Sequence, residues 1–249
     1  MRKLSRRPLS AAARTALETL QSQVDDAPDP KARAKNLWNN KPRSPFDEVR
    51  TALEAMASGR DRCMYCEDNE GTDIEHFWPK SAYPELAFIW DNYLMACSAC
   101  NSNHKRDRFP LDPDGRPLLL NPVDVDPRPH LRLVPTSGRF AGRTPQGTAS
   151  IEIFDLNGDE SGRTLPTGRR DTFVVLKELI VAYDRSVATG AATAADIERA
   201  ILRFPFSSVL VYMVAIAEHP MGRRILGDDV VDVIERHRLS EWLDPSPPL

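Results

Sequence analysis

Hydrophobic positions recur at helical spacing at both ends of the chain and lose that rhythm in the middle. Behind Ser10, a cap candidate, Ala13, Leu17, Leu20 and Val24 follow at intervals of three and four, which predicts a helix from Ser10 to about Val24. A loop carrying Pro28, Pro30, Pro42 and Pro45 surrounds a short helix predicted at Lys31 to Trp38. Phe46, Val49, Leu53 and Met56 share one face of a further helix from Pro45 to about Ala57. Between Pro110 and Pro145 the apolar pieces shorten and are cut by turn residues, as in LLLNPVDVDPRPHLRLV, and read as short strands. Ala149 to Leu156 is expected to be another strand. The last third returns to helical period, with a stripe of Phe173, Leu176, Leu179, Ile180 and Tyr183, a capping-box-like start at Thr193-x-x-Asp196, and Val230, Val233 and Ile234 marking a last helix. Pro205 should break the segment between Ile201 and Phe206, and the closing DPSPPL is expected to fray.

The chain has 249 residues, 41% of them hydrophobic, enough for one large domain or two small ones and too many for a mainly disordered protein. Its longest wholly apolar run, Val209 to Ala217, is nine residues, well short of the ~20 that a membrane-spanning helix needs. No membrane partner is therefore expected. MRKLSRRPLS is basic without the apolar stretch of a secretory signal, so the expected compartment is the cytoplasm, where structural disulfides are rare. The net charge of −3 conceals an asymmetry: residues 1–45 carry ten Lys or Arg against four Asp or Glu, whereas residues 111–249 carry sixteen against twenty. A basic segment on a neutral body suits a nucleic-acid partner, because phosphate neutralisation supplies affinity without regard to sequence.

All four cysteines fall in residues 61–112 as Cys63-x2-Cys66 and Cys97-x2-Cys100. Two such turns supply one tetrahedral four-cysteine zinc site with no open position, a staple and not a catalyst. Two redox pairs or four buried thiols would leave the matched knuckles unexplained. Between the knuckles lies ThrAspIleGluHisPheTrpProLys, with Glu75 and His76 side by side at the end of a strand-like stretch, where the strand end at Pro79 lets neighbouring side chains share one site. Asn92 precedes the third cysteine by five residues, and Asn101 follows the fourth at once, opening the polar run AsnSerAsnHisLysArgAspArg.

This order, CxxC, acidic-His, Asn, then CxxC followed by Asn, resembles the HNH endonuclease family and its ββα-metal motif. More narrowly, CysMetTyrCysGlu, IleGluHisPheTrpProLysSer, IleTrpAspAsnTyrLeu, CysSerAlaCysAsn, ArgPhePro, LeuLeuAsnProValAspValAspPro and PheAspLeuAsn resemble the HNH nuclease subunit of Septu-type and retron-linked anti-phage defence systems, over roughly residues 1–180. The resemblance implies that His76 is the general base and that Glu75 and Asn101 hold a catalytic Mg²⁺ or Mn²⁺ ion. It also implies that Asn92 fixes the loop that aims His76, and that an ATPase is the partner subunit. Relatives usually carry Asn-x-x-Lys after the last knuckle; here that fourth position is His104, a candidate third ligand to the ion or a phosphate contact, and Lys105 comes one later. Lys80, Lys105, Arg106 and Arg108 are candidate phosphate contacts.

The expected fold is α+β: a small ββα-metal core with a zinc site of four cysteines, embedded between N- and C-terminal helices. The divisions are a basic helical arm (1–60), the HNH core (61–112), a proline-rich strand and loop extension (113–160) and a C-terminal helical region (161–249), the last a candidate docking surface. The expected function is a metal-dependent endonuclease acting on nucleic acid, with DNA the expected substrate. The rival is a noncatalytic zinc-ribbon module that binds nucleic acid or protein; it keeps the cysteines and the basic residues but gives no reason for Glu75, His76 and Asn101.

Overall fold

Ser10 opens the first helix by accepting a hydrogen bond from the Ala13 amide at 3.1 Å, and α1 (Ala11–Asp25) then buries Ala13, Leu17, Leu20 and Val24 on one face. In this computed structural model, which describes residues 1–57, 59 and 61–243, α1 packs on α2 (Pro30–Asn39) and α3 (Arg43–Met56). Asp29 caps α2, and its Pro30 sits in the first turn, where a missing N–H costs nothing. The apolar stripe of α3, Phe46, Val49, Leu53 and Met56, is buried as its spacing predicts, each large side chain contributing about 1.5–3 kcal/mol of transfer free energy. The expected fraying at 244–249 lies outside the described residues.

The basic start of the chain does not project as an arm. Met1, Leu4 and Leu9 are buried, the Leu4 amide donates to the Pro122 carbonyl at 2.9 Å, Lys3 donates to the Val123 carbonyl, and Arg6 donates to the carbonyls of Tyr93 (2.7 Å) and Asp91 (2.8 Å). Apolar residues spaced among the cations hold this strap down, and the cations then serve backbone oxygens.

The architecture is α+β with two small antiparallel hairpins. In the first, β1 (Asp73–His76) pairs with β2 (Tyr93–Ala96), placing Glu75 opposite Leu94 and His76 opposite Tyr93, and α3 backs β2. A seven-residue π turn, Ala99–Lys105, follows at once. The second hairpin, β3 (Leu131–Val134) with β4 (Arg139–Gly142), turns at Gly138; its φ of +69° is open to glycine, and a Cβ there would lie 1.8 Å from the Pro166 carbonyl oxygen.

The strand expected at Ala149–Leu156 is instead the end of a helix, α4 (Pro145–Ile153). Thr144 accepts from the Gly147 amide and Pro145 occupies the first turn, so a cap and a helix-starting proline override the alternation of Ile151, Ile153 and Phe154.

Helices α5 (Leu165–Ala188), α6 (Ala194–Leu202), α7 (Ser207–Ala217), α8 (Gly222–Leu226) and α9 (Asp228–Arg236) complete the chain, with α5 packed against α6, α7 and α9. Pro205 falls in the break between α6 and α7, as expected. Thr193 does not cap α6 with its side chain; its hydroxyl bonds Ser186 at 2.7 Å. Among the described residues no single helix is long and apolar enough to cross a membrane. One hydrophobic core runs from Leu4 to Leu239, joining the helices to the hairpins.

Candidate functional site: a zinc knuckle pair beside a cationic cleft

The two CxxC turns meet. The four Sγ atoms of Cys63, Cys66, Cys97 and Cys100 lie within 4.8 Å of one another, all four residues are buried, and no disulfide joins them. A tetrahedral ion at the usual Zn–S distance of about 2.3 Å sets ligand sulfurs about 3.8 Å apart. Cys66 and Cys97 are 3.8 Å apart. The residues therefore fit a structural zinc ion that closes its own coordination shell. Four thiolates around Zn²⁺ leave a net negative charge, and Arg163 meets it with Nη1 3.7 Å from Cys100 Sγ, while Asn69 Nδ2 lies 3.9 Å from Cys97 Sγ. Burial by itself would lower the Arg163 pKa; the thiolates of Cys66 and Cys100 hold it raised.

The residue after Cys66 anchors the C-terminal helices to the knuckle. Glu67 is buried with a left-handed φ of +63°; its carbonyl accepts from the Phe206 amide at 3.0 Å, and its carboxylate accepts from the hydroxyls of Ser207 and Ser208 and from the Met1 ammonium. Burial alone would raise the Glu67 pKa, but the ammonium and the hydroxyls keep it below the usual carboxylate range.

Beside the zinc knuckles opens a cleft of about 960 Å³ whose floor holds Asp73, Glu75, His76 and Asn101. His76 is buried, with Nε2 2.9 Å from the Ala87 carbonyl oxygen. A carbonyl only accepts, so Nε2 carries the proton, and Nδ1, which makes no hydrogen bond to a described residue, is the basic nitrogen. The Tyr93 hydroxyl donates to the same carbonyl at 2.8 Å. Burial, then the charge of Lys80, pulls the His76 pKa down to about 3, so the imidazole is neutral at any physiological pH. Trp38 of α2 covers the imidazole at 4.3 Å between ring centroids and carries Lys41 and Lys80 over its own ring at 4.5 and 5.3 Å.

Asn92 is buried and ties the connection between β1 and β2 together: Oδ1 accepts from the Trp78 amide at 2.7 Å, and Nδ2 donates to the carbonyls of Trp78 (3.0 Å) and Leu86 (2.9 Å). Gln21 of α1 holds the same connection from the other side, accepting from the Phe88 amide at 2.9 Å and donating to the Pro84 carbonyl at 3.2 Å. The Ala87 carbonyl that fixes His76 is thus clamped on both flanks. Sequence reasoning missed Gln21, although a glutamine on a buried helix face was the available signal.

Glu75 is fully buried against Lys105, whose Nζ lies 2.6 Å from Oε1, within ion-pair range but off the hydrogen-bonding direction. Lys105 also donates to the His76 carbonyl at 2.8 Å. Lys105 is therefore not the surface phosphate contact that the sequence suggested. The π turn explains its placement: the Arg106 amide closes on the Asn101 carbonyl five residues back at 2.8 Å, and this wider turn brings the residue at i+4 from Asn101, Lys105, over the hairpin.

His104 is turned away from the cleft. Its Nε2 lies 3.9 Å from Asp155 and its Nδ1 3.9 Å from Glu160, so the structure does not bring it to Glu75 and Asn101 as a further ligand. Arg108 likewise spends its guanidinium on the carbonyls of His104 and Ile153, whereas Lys80 and Arg106 do line the cleft.

Asn101 Nδ2 donates to Asp73 Oδ2 at 3.0 Å, which leaves the amide oxygen of Asn101 free to face a cation. Asp73, Glu75 and Asn101 line the same cleft and carry hard oxygen donors of the class that Mg²⁺ takes, with Glu75 Oε1 facing the Lys105 ammonium and Asp73 Oδ2 accepting from Asn101.

No family model matches the chain. The chain is 30% identical over 164 residues to Septu protein PtuB of Bacillus mycoides (strain KBAB4), an alignment that covers 52% of this chain and 55% of that protein. It is 26% identical over 114 residues to Septu protein PtuB of Bacillus thuringiensis, covering 44% and 41%. Protein ea31 of Escherichia phage lambda is 30% identical over 84 residues, covering 33% and 28%. The chain spans about half the length of the first curated relative it matches and less of the others, and two of these three relatives are Septu proteins.

Proposed function

We propose that the chain is a metal-dependent endonuclease of the HNH type, hydrolysing phosphodiester bonds in nucleic acid, with DNA the expected substrate, in the service of anti-phage defence. The observation that carries this reading is the state of His76. It is neutral, fixed through one ring nitrogen to the Ala87 carbonyl, and set on the floor of a cleft lined by lysines and arginines. An imidazole held in that tautomer is a general base at its other nitrogen. The order of the parts supports the HNH type: acidic-His at the end of the first hairpin strand, Asn92 in the connection, and Asn101 in the turn after the second strand.

His76 Nδ1 takes the proton of the attacking water. Asn92 and Gln21 keep the Ala87 carbonyl in place, so the ring neither swings nor changes tautomer. Glu75 and Asn101 would hold the divalent ion, which when bound supplies Lewis-acid polarisation of the scissile phosphate and charge for the leaving oxygen. The zinc knuckles set β1 against the turn that carries Asn101. Similarity to Septu proteins supports the defence role. An ATPase partner, docking on the C-terminal helices, belongs to the same proposal through the sequence resemblance.

The test is a cleavage assay on plasmid DNA and oligonucleotides with Mg²⁺ or Mn²⁺, with the chain alone and with an ATPase partner present. His76→Ala should lower the rate by about 10²- to 10⁴-fold while zinc content and melting temperature stay near those of the parent. A parent protein that cuts equally well in EDTA, or a fully active His76→Ala protein, would replace this reading with the noncatalytic zinc-ribbon module.

A further inference from the structure

The cleft carries an imbalance of used and unused charge. Its carboxylates are all engaged: Asp29 caps α2, Asp73 accepts from Asn101, Glu75 faces Lys105, and Asp107 accepts from Ser81 at 2.5 Å. The six cations on its walls, Lys31, Lys35, Lys41, Arg50, Lys80 and Arg106, form no ion pair with any described residue. Many arginines elsewhere do pair, among them Arg116, Arg128, Arg139, Arg199, Arg223 and Arg236. Burial pulls down the pKa values of both Lys41 and Lys80; Arg50 adds to the effect at Lys41, while at Lys80 the charges of Glu75 and Asp107 offset part of it.

Two of these cations lie in a row along α2. Lys31 and Lys35 are one helical turn apart on the cleft face of α2, separated by about 6 Å of rise, a spacing comparable with that of neighbouring phosphates on one strand. The same face continues through Trp38, over which Lys41 and Lys80 sit, and ends against His76. Lysine is a point charge, with no planar fork for reading a base. Of the side chains that could make paired hydrogen bonds to base edges, Asn101 is held by Asp73, Arg50 and Arg106 each give one guanidinium nitrogen to a backbone carbonyl, of Thr72 and Ser102, and Asn39 makes no side-chain hydrogen bond to a described residue.

We propose that α2 is the substrate track of the cleft: Lys31 and Lys35 take successive phosphates of one nucleic-acid strand and lead it over Trp38 to His76, so that the chain grips the sugar-phosphate backbone without reading sequence. This deepens the nuclease reading and rests on it for the position of the scissile phosphate. The positive charge of the N-terminal third thus acts through α2 and Lys41, while its first nine residues are spent on packing.

The experiment measures binding in EDTA, where no divalent ion is free to support cleavage, by fluorescence anisotropy over a salt series with labelled DNA and RNA oligonucleotides of unrelated sequence. Lys31 and Lys35 are exposed, so Lys31→Gln/Lys35→Gln should keep the parent melting temperature. Its log K against log salt slope should shrink by about 1.4 on single strands or about 1.8 on duplex, equally for every sequence. Arg199→Gln/Arg223→Gln, at exposed cations outside the cleft, should keep the parent slope. Parallel DNA and RNA series show which backbone the track accepts. An unchanged slope in the double lysine variant, a loss confined to certain sequences, or a parent that binds no nucleic acid would overturn the proposal. A lysine-dependent slope in a protein that cleaves nothing with any divalent ion would sink the nuclease reading and leave the track standing. His76-dependent cleavage with no α2 effect would do the reverse.

Discussion

Lys105 and Glu75 are both buried and lie 2.6 Å apart, an ion pair at the cleft floor in which the lysine makes a second contact with the His76 carbonyl. Desolvation raises the Glu75 pKa even with the ammonium beside it, so burial is the larger effect and the lysine offsets only part of it. Removing one partner leaves a buried charge without compensation, at a cost of about 3–5 kcal/mol. Lys105→Met should therefore lower the urea midpoint substantially, and adding Glu75→Gln should restore much of the loss. A Lys105→Met protein as stable as the parent would show that the pair is not buried as described.

His76 gives a pH signature in two quantities. Its folded pKa, about 3, is below the ordinary histidine value of ~6.5, so between these two values the unfolded chain binds more protons than the folded one. The stabilising contribution is present above ~6.5 and is lost as pH falls toward about 3. His76→Gln should flatten that part of the stability curve, measured as melting temperature against pH. Catalysis should be insensitive to the same group: kcat/KM should show no histidine titration between pH 5 and 8, because the base is deprotonated throughout. A fall in rate centred near 6.5 that disappears in no other variant would contradict the buried, neutral imidazole.

Much of this was legible in the sequence, and the exceptions have physical causes. The cysteine spacing alone foretold that the four sulfurs gather in one cluster fit for zinc, because CxxC turns are local and the count was closed. The stripes of α1, α3 and α5 were readable because each buries one face. Residues 149–156 misled because a strand-like alternation lies in a helix set by the Thr144 cap and Pro145, five residues upstream. His104 and Lys105 could not be told apart from spacing, since a π turn adds one residue to the turn and exchanges which side chain faces the hairpin. Gln21 stood out only as a polar residue on a buried helix face, and its partners, like those of Trp38 and Asp73, lie across long separations in the chain that no local pattern encodes.

The zinc site extends beyond its four sulfurs to Arg163, which belongs to the loop before α5 and approaches Cys100. Outer partners of metal ligands commonly contribute 10- to 100-fold in affinity. Native mass spectrometry should find one zinc per chain, Cys97→Ser should lose it, and Arg163→Gln should retain it but release it to a chelator at about 10- to 100-fold lower chelator concentration. Equal retention in parent and Arg163→Gln would make the arginine a bystander.

Gln21 separates positioning from stability most directly. Its side chain reaches from α1 to the Phe88 amide, the N–H of the same peptide group whose carbonyl, that of Ala87, holds His76. Gln21→Leu leaves that amide buried and unpaired, at a cost of about 1–3 kcal/mol, and frees one flank of the clamp. The expected result is a fall in kcat with nucleic-acid affinity unchanged, since the side chain is not among those lining the cleft and acts only through the orientation of the base. Leu53→Ala is the control: it opens a cavity in α3 and costs about 2–5 kcal/mol, yet removes no hydrogen bond of the clamp, so at temperatures where it stays folded its kcat should match the parent. If Gln21→Leu and Leu53→Ala lose stability and both keep full kcat, Gln21 is a core residue and nothing more. If only Gln21→Leu slows, the ring of His76 depends on a hydrogen bond made at the far side of the peptide group that holds it.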